Sequence, residues 1–208
     1  MPYILDLVML DLMNQNLTGD GLKEKLSRQN ANALRQTRHL YLNNNNISYL
    51  PVMTFPVDLK YALVELRLDN NPLDYLSSYT RFELSRLGNL KILSLAHTGL
   101  YYLDSLYLPS LEVLDLSGNH LSSVPLALES VNDLKHLDLS GNRISSVYGL
   151  TLGMLPRLKV LSLAGNKMTY LWHDAFQYFD NLEKVYLNDN LLEHAFQVYL
   201  PTETDVYL

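Results

Sequence analysis

The chain has 208 residues, 48% of them hydrophobic and 18% charged, which is enough apolar side chain for one substantial core and the wrong composition for a mostly disordered chain. A net charge of −6 with no basic run excludes a phosphate-binding surface of the nucleic-acid kind, which needs a concentrated Lys and Arg face. The absence of cysteine excludes a disulfide framework, thiol catalysis and a thiolate zinc site within this stretch. The opening segment MPYILDLVMLDLMNQN is apolar but carries Asp6 and Asp11 and no basic start, so it fails as a secretory signal. No stretch approaches the roughly 20 apolar residues of a membrane span, and the sequence as written reads as soluble. From Leu7, LVMLDLMNQNL sets out apolar residues in a spacing that the rest of the chain repeats, with Gln15 at the ninth position. DGLKEKLSRQNANALRQ follows and predicts one amphipathic helix, so residues 1–36 are expected to form an irregular first repeat.

From Thr37 onward the frame L-x-x-L-x-L-x-x-N-x-L recurs in register. Its seven copies begin at Thr37, Leu63, Leu90, Leu111, Leu134, Leu158 and Leu182, and include LVELRLDNNPL, LEVLDLSGNHL and LKHLDLSGNRI. A further apolar residue follows each copy by three positions: Leu50, Leu76, Leu103, Val124, Val147, Leu171 and the smaller Ala195. At the far end TDVYL echoes EKVYL, so Val206 and Leu208 are expected at the fourth and sixth positions of another strand. The expected organisation is one domain over 1–208, with seven repeats over 37–202 and the start of a further repeat over 203–208. A chain interrupted within a repeat is the favoured reading of that end, with self-association through the uncapped ends as its consequence.

The frame also explains the four consecutive asparagines of LYLNNNNISYLP. Asn45 falls at the ninth position, with Asn71, Asn119, Asn142, Asn166 and Asn190, and its neighbours are read as spares. A chain that turns inward after a strand leaves backbone groups facing a closed interior, and an amide side chain supplies both donors and an acceptor for them. Stacked copies form an asparagine ladder. Thr98 stands in for asparagine in one copy and is expected to make its weakest rung.

This pattern resembles the leucine-rich repeat family across nearly the whole chain. The resemblance implies an α/β solenoid in which each repeat adds a short parallel strand to a concave sheet, with loops, turns and short helices on the convex side. YLWHDAFQYFDNLEKVYLNDNLL looks like the 24-residue repeats common in extracellular receptors and adhesion proteins, whereas LSSVPLALESVNDLKHLDLSGN is closer to a 23-residue type also found inside cells. The implied function is a non-catalytic interaction module that binds a protein ligand or receptor, within a cell-surface or extracellular recognition or adhesion protein. The alternative is an intracellular scaffold or regulatory subunit that docks on an enzyme; the cytoplasm stays open because no signal peptide is present.

In a strand written L-x-x-L-x-L the leucines point inward and positions three and five point outward. The side chains expected to anchor a partner are therefore Tyr41, Arg67, Asp115, His136, Asp138 and Tyr186, and their mixed signs predict a partner with complementary patches. Asp115, Asp138 and His136 could hold a cation, but LDLSGN is a common family spelling there, and the reading adopted is no metal and no cofactor. Ser94, Ser162 and the histidines assemble no nucleophile, base and orienter, and no glycine loop for phosphate is present, so no reaction is expected. Gly118, Gly141 and Gly165 are assigned to the turn. The sequons at Asn16 and Asn46 are possible glycosylation sites. Tyr101, Tyr102, Trp172 and Phe179 are read as packing residues of the convex side, although an exposed Tyr101 and Tyr102 could widen the binding surface.

Overall fold

A computed structural model describes residues 8–125, 128, 130–147, 155–177, 179–193, 198–201 and 203–208. Leu7 and Ala195 lie outside the described residues.

Among the described residues the strands are β1 (Val8–Asp11), β2 (Thr37–Tyr41), β3 (Glu65–Arg67), β4 (Ile92–Ser94), β5 (Val113–Asp115), β6 (His136–Asp138), β7 (Val160–Ser162), β8 (Lys184–Tyr186) and β9 (Asp205–Tyr207). They lie side by side in chain order, each parallel to the next. The register places frame position on frame position: Leu40, Leu66, Leu93, Leu114, Leu137, Leu161 and Val185 form one inward row. These residues and the sixth-position leucines are buried, with at most 2% exposure. Parallel strands need long crossovers, and the convex segment of each repeat is that crossover. No single repeat could bury its apolar row without neighbours.

The ninth-position asparagines make the same bonds at each rung. Asn142 Nδ2 donates to Leu116 O and to Leu139 O, both at 3.0 Å, and its Oδ1 accepts from Leu121 N at 3.0 Å. Asn45, Asn71, Asn119, Asn166 and Asn190 do the equivalent in their own repeats. Each amide thus ties its own strand end to the previous one. Thr98 reaches only Leu95 O, at 2.8 Å, and offers its hydroxyl to Asn119 Oδ1, at 3.1 Å. Leu68 O therefore keeps only the Asn71 amide, whereas Leu42 O, Leu116 O, Leu139 O and Leu163 O each receive two ladder amides.

The asparagines beside Asn45 are not spares. Asn44, at the eighth position, has φ +57°, and the residues at that position in the other repeats, Asn14, Asn70, His97, Gly118, Gly141, Gly165 and Asp189, are all left-handed. Asn, Asp and Gly tolerate that region at least cost, so the composition of this row follows from the turn. Asn43 donates to Asp69, and the Asn46 amide donates to Leu17 O at 2.9 Å. Gly118 has a second constraint, since a Cβ there would sit 2.1 Å from the His97 ring.

Two further expectations change. Gln15 does not join the ladder; its side chain accepts from Lys25 Nζ, while the Gln15 amide donates to Asn45 Oδ1. The predicted single helix is two, α1 (Gly19–Ser27) and α2 (Ala31–Gln36), because the Asn30 side chain caps the amides of Asn32 and Ala33 and restarts the helix. On the convex side α3 (Val57–Lys60) and α4 (Ser78–Ser85) follow. Glu83 of α4 is fully buried; it accepts from Met53 N at 2.8 Å and Phe55 N at 3.3 Å and pairs with Arg86 at 2.8 Å. That carboxylate ties the convex loop of one repeat to the helix of the next. At the C-terminal side of the sheet β9 pairs with β8 in frame, leaving Val206 36% and Leu208 77% exposed.

Candidate functional site

The strand pleat that sends leucines inward sends positions three and five onto the concave face, so each of β1 to β9 contributes two side chains there. At about 4.8 Å per rung, neighbouring side chains act as one surface. The expected anchors fall on it in two separate groups.

The first group spans β2 and β3. Glu65 is only 5% exposed, yet it stays charged, because His39 Nδ1 lies 2.6 Å from one of its oxygens and Arg67 Nε 2.6 Å from the other. Burial alone would raise the Glu65 carboxyl; the hydrogen bonds and charges of Arg67 and His39 outweigh it and hold the group below its ordinary value. The same bond raises Arg67. Burial and the neighbouring Glu65 charge raise the Tyr41 phenol, whose hydroxyl donates to Glu65 at 3.4 Å. The Arg67 guanidinium lies 5.6 Å from the centre of the Tyr41 ring. Arg67 is thus spent on its neighbour, which corrects the expected contest between a free Arg67 and the aspartates.

The second group lies over β5 to β8. Asp115, His136, Asp138 and Tyr186 line one shallow depression of about 400 Å³ with Val113, Val160 and Ser162. Asp115 Oδ1 accepts from Ser117 N at 2.9 Å and Asp138 Oδ1 from Ser140 N at 2.8 Å, so each carboxylate fixes its own turn. Among the described residues no group of three or more His, Asp or Glu is disposed to hold a metal ion. Tyr186 lines the depression and stacks on Tyr207 of β9, centres 4.5 Å apart and planes 13° from parallel, so its ring is braced from behind.

Several contributors escaped the sequence reading. Asp69 is 9% exposed and accepts from Ser94 Oγ, Ala96 N and Asn43 Nδ2, bracing the rim across three repeats. Its signal was a lone carboxylate at frame position seven. Glu65 stood at an outward position, but its burial depends on Arg67 and His39 closing over it. On the convex side the packing expectation holds for Phe179, at 1% exposure, and fails for Tyr101, Tyr102 and Trp172, at 54%, 52% and 45%. Tyr101 lies 4.9 Å from the His120 ring and 5.9 Å from the Arg143 guanidinium, on the flank of the next two repeats. Asn16 and Asn46 are both exposed and sit on adjacent repeats.

A family profile described as leucine rich repeat matches residues 132–192, and one described as two copies of leucine rich repeats matches 88–129. An adenylate cyclase of Schizosaccharomyces pombe is 33% identical over 139 residues, covering 66% of this chain and 8% of that protein. Podocan of Mus musculus is 35% identical over 148 residues, covering 68% of this chain and 23% of podocan. The chain therefore spans less than a quarter of the length of either relative. Among solved structures, the protein of a TLR13–ssRNA13 complex superposes with a TM-score of 0.74 at 22% identity, over 88% of this chain and 28% of that one. Internalin C2 of Listeria monocytogenes gives 0.66 at 22% identity, over 97% and 79% of the two chains.

Proposed function

Because the chain is a leucine-rich repeat solenoid, we propose that it is a non-catalytic interaction module that holds a protein partner on its concave face, within a cell-surface or extracellular recognition or adhesion protein. The observation that carries the reading is the division of labour along each strand. Inward leucines are committed to the core and ninth-position asparagines to the ladder, which leaves positions three and five free to vary for recognition. Tyr41, Arg67, Asp115, His136, Asp138 and Tyr186 are the proposed contact residues, and only the last four share one depression. The polar side chains have structural partners rather than catalytic ones: the Ser94 hydroxyl donates to Asp69, and the aspartates cap turns.

A nucleic-acid ligand is disfavoured on electrostatic grounds. The TLR13 structure is a complex with RNA, but binding phosphate requires excess Lys and Arg, and at the outward positions here Asp11, Glu65, Asp115, Asp138 and Asp205 outnumber Arg67 and Lys184. Among the described residues no helix is long and apolar enough to cross a membrane.

The test compares concave and flank variants for capture of one identified binding protein. Tyr186→Ala and Asp138→Asn should each weaken it by about tenfold, as expected for central aromatic and charged contacts. Tyr101→Ala with Tyr102→Ala should bind normally. The reverse pattern would move the site to the convex flank. Arg67→Glu is a poor probe, because it sets a second carboxylate against the Glu65 oxygens and perturbs the fold.

A further inference from the structure

The inference that follows rests on the concave reading and specifies what that face accepts. Once Glu65 and Arg67 are paired with each other, the charges left at outward strand positions are Asp11, Asp115, Asp138 and Asp205 against Lys184 alone. The mixed face expected from the sequence is therefore an acidic one. Its centre is also shaped. Asp115 and Asp138 are register partners on adjacent strands, both half-buried at the depression, and each spends only Oδ1 on its turn amide. Among the described residues neither Oδ2 has a hydrogen-bond partner. Val113 and Val160 flank them, and the Tyr186 ring forms the wall.

We propose that the partner presents an extended cationic segment, with one arginine side chain seated in this depression. Two carboxylate oxygens on neighbouring rungs match the forked guanidinium, which binds carboxylates through paired N–H donors. The valines suit the aliphatic stem of that side chain, and Tyr186 offers its face to the cation. A lysine would place a point charge between the same groups but would lose the fork. A purely apolar occupant would leave two half-buried carboxylates without compensation.

Random dodecapeptides displayed on phage are panned against the full chain, and enriched sequences are remade as synthetic peptides. Arginine next to aliphatic residues should be enriched, and changing that arginine to citrulline should weaken binding by at least about tenfold, the scale of a lost close charge pair. Asp115→Asn and Asp138→Asn should weaken the same peptides, because asparagine keeps an Oδ1 for Ser117 N or Ser140 N while the charge is removed. Unchanged thermal unfolding of those variants shows that the turns persist. Failure of basic residues to enrich overturns the proposal. So do peptides that need Tyr186 but ignore both Asn variants, although that result leaves the concave module intact. Peptides indifferent to Tyr186→Ala and to both Asn variants, and lost with Tyr101→Ala and Tyr102→Ala, sink the concave reading as well.

Discussion

Replacing Asn142 by alanine removes four hydrogen bonds, yet the structure predicts a cost set mainly by one of them. Leu116 O loses the Asn142 amide but keeps that of Asn119 at 2.9 Å, and Leu139 O keeps that of Asn166 at 2.9 Å. Ser140 O, a longer acceptor at 3.2 Å, retains the Gly118 amide. Among the described residues Leu121 N has no second acceptor, and Leu121 is only 1% exposed, so water cannot replace the lost oxygen. One orphaned buried donor costs about 1–3 kcal/mol, with a small void added to it. For a chain of this size about 2 kcal/mol lowers the melting temperature by about 4–8 °C. Asn44→Gly, at φ +57°, should be nearly neutral, and Asn44→Ala should cost about 1 kcal/mol for the left-handed backbone. Denaturant unfolding ranks the three variants, and amide exchange reads the mechanism: the Leu121 N–H should lose protection selectively in Asn142→Ala. If Asn142→Ala costs no more than Asn44→Ala, or if Leu121 stays as protected as in the parent, the ladder argument is refuted.

Glu83→Ala should destabilise by about 3–5 kcal/mol, since it strands the amides of Met53 and Phe55 and the Arg86 charge; a loss below about 1 kcal/mol in urea unfolding would show that the convex loop does not need this carboxylate. Thr98→Asn should add a donor for Leu68 O and an acceptor nearby, raising stability by about 0.5–1.5 kcal/mol, and a lowered midpoint would show that the repeat at Pro72 cannot accommodate the amide. Hydrogen bonds from Lys135 and Lys91 hold the Glu112 carboxyl at about 2, below its ordinary 4.5. A depressed carboxyl stabilises the fold above the unfolded value, and the contribution disappears as pH falls through the folded one. Acid titration of stability between pH 4.5 and 2 should therefore be shallower in Glu112→Gln than in the parent, by less than about 1 kcal/mol because the pairs are solvent-screened. Identical acid limbs would remove Glu112 from the account.

The sequence by itself determined the strands, their parallel order and the inward and outward rows, because these follow from a period-two apolar pattern repeated in one frame. A leucine at position four or six has the same neighbours in every repeat, so one repeat predicts them all. The asparagine ladder was legible for the same reason: its bonds run to fixed frame positions of its own and the preceding repeat. The break at Asn30 was not, since helix capping and amphipathic spacing competed over the same 17 residues and the cap won. What only the tertiary structure decided is how the non-repeating side chains meet. Glu65 takes its partners from His39 of one repeat and Arg67 of its own, Asp69 bridges three repeats, and Glu83 reaches back 28 and 30 residues to Phe55 and Met53. Those pairings depend on convex segments of unequal length and on burial created by both neighbours, which no single copy of the frame encodes. They convert a face of apparently mixed charge into an acidic one, because Arg67 and Glu65 on one strand neutralise each other while Asp115 and Asp138 each keep an oxygen without a partner among the described residues.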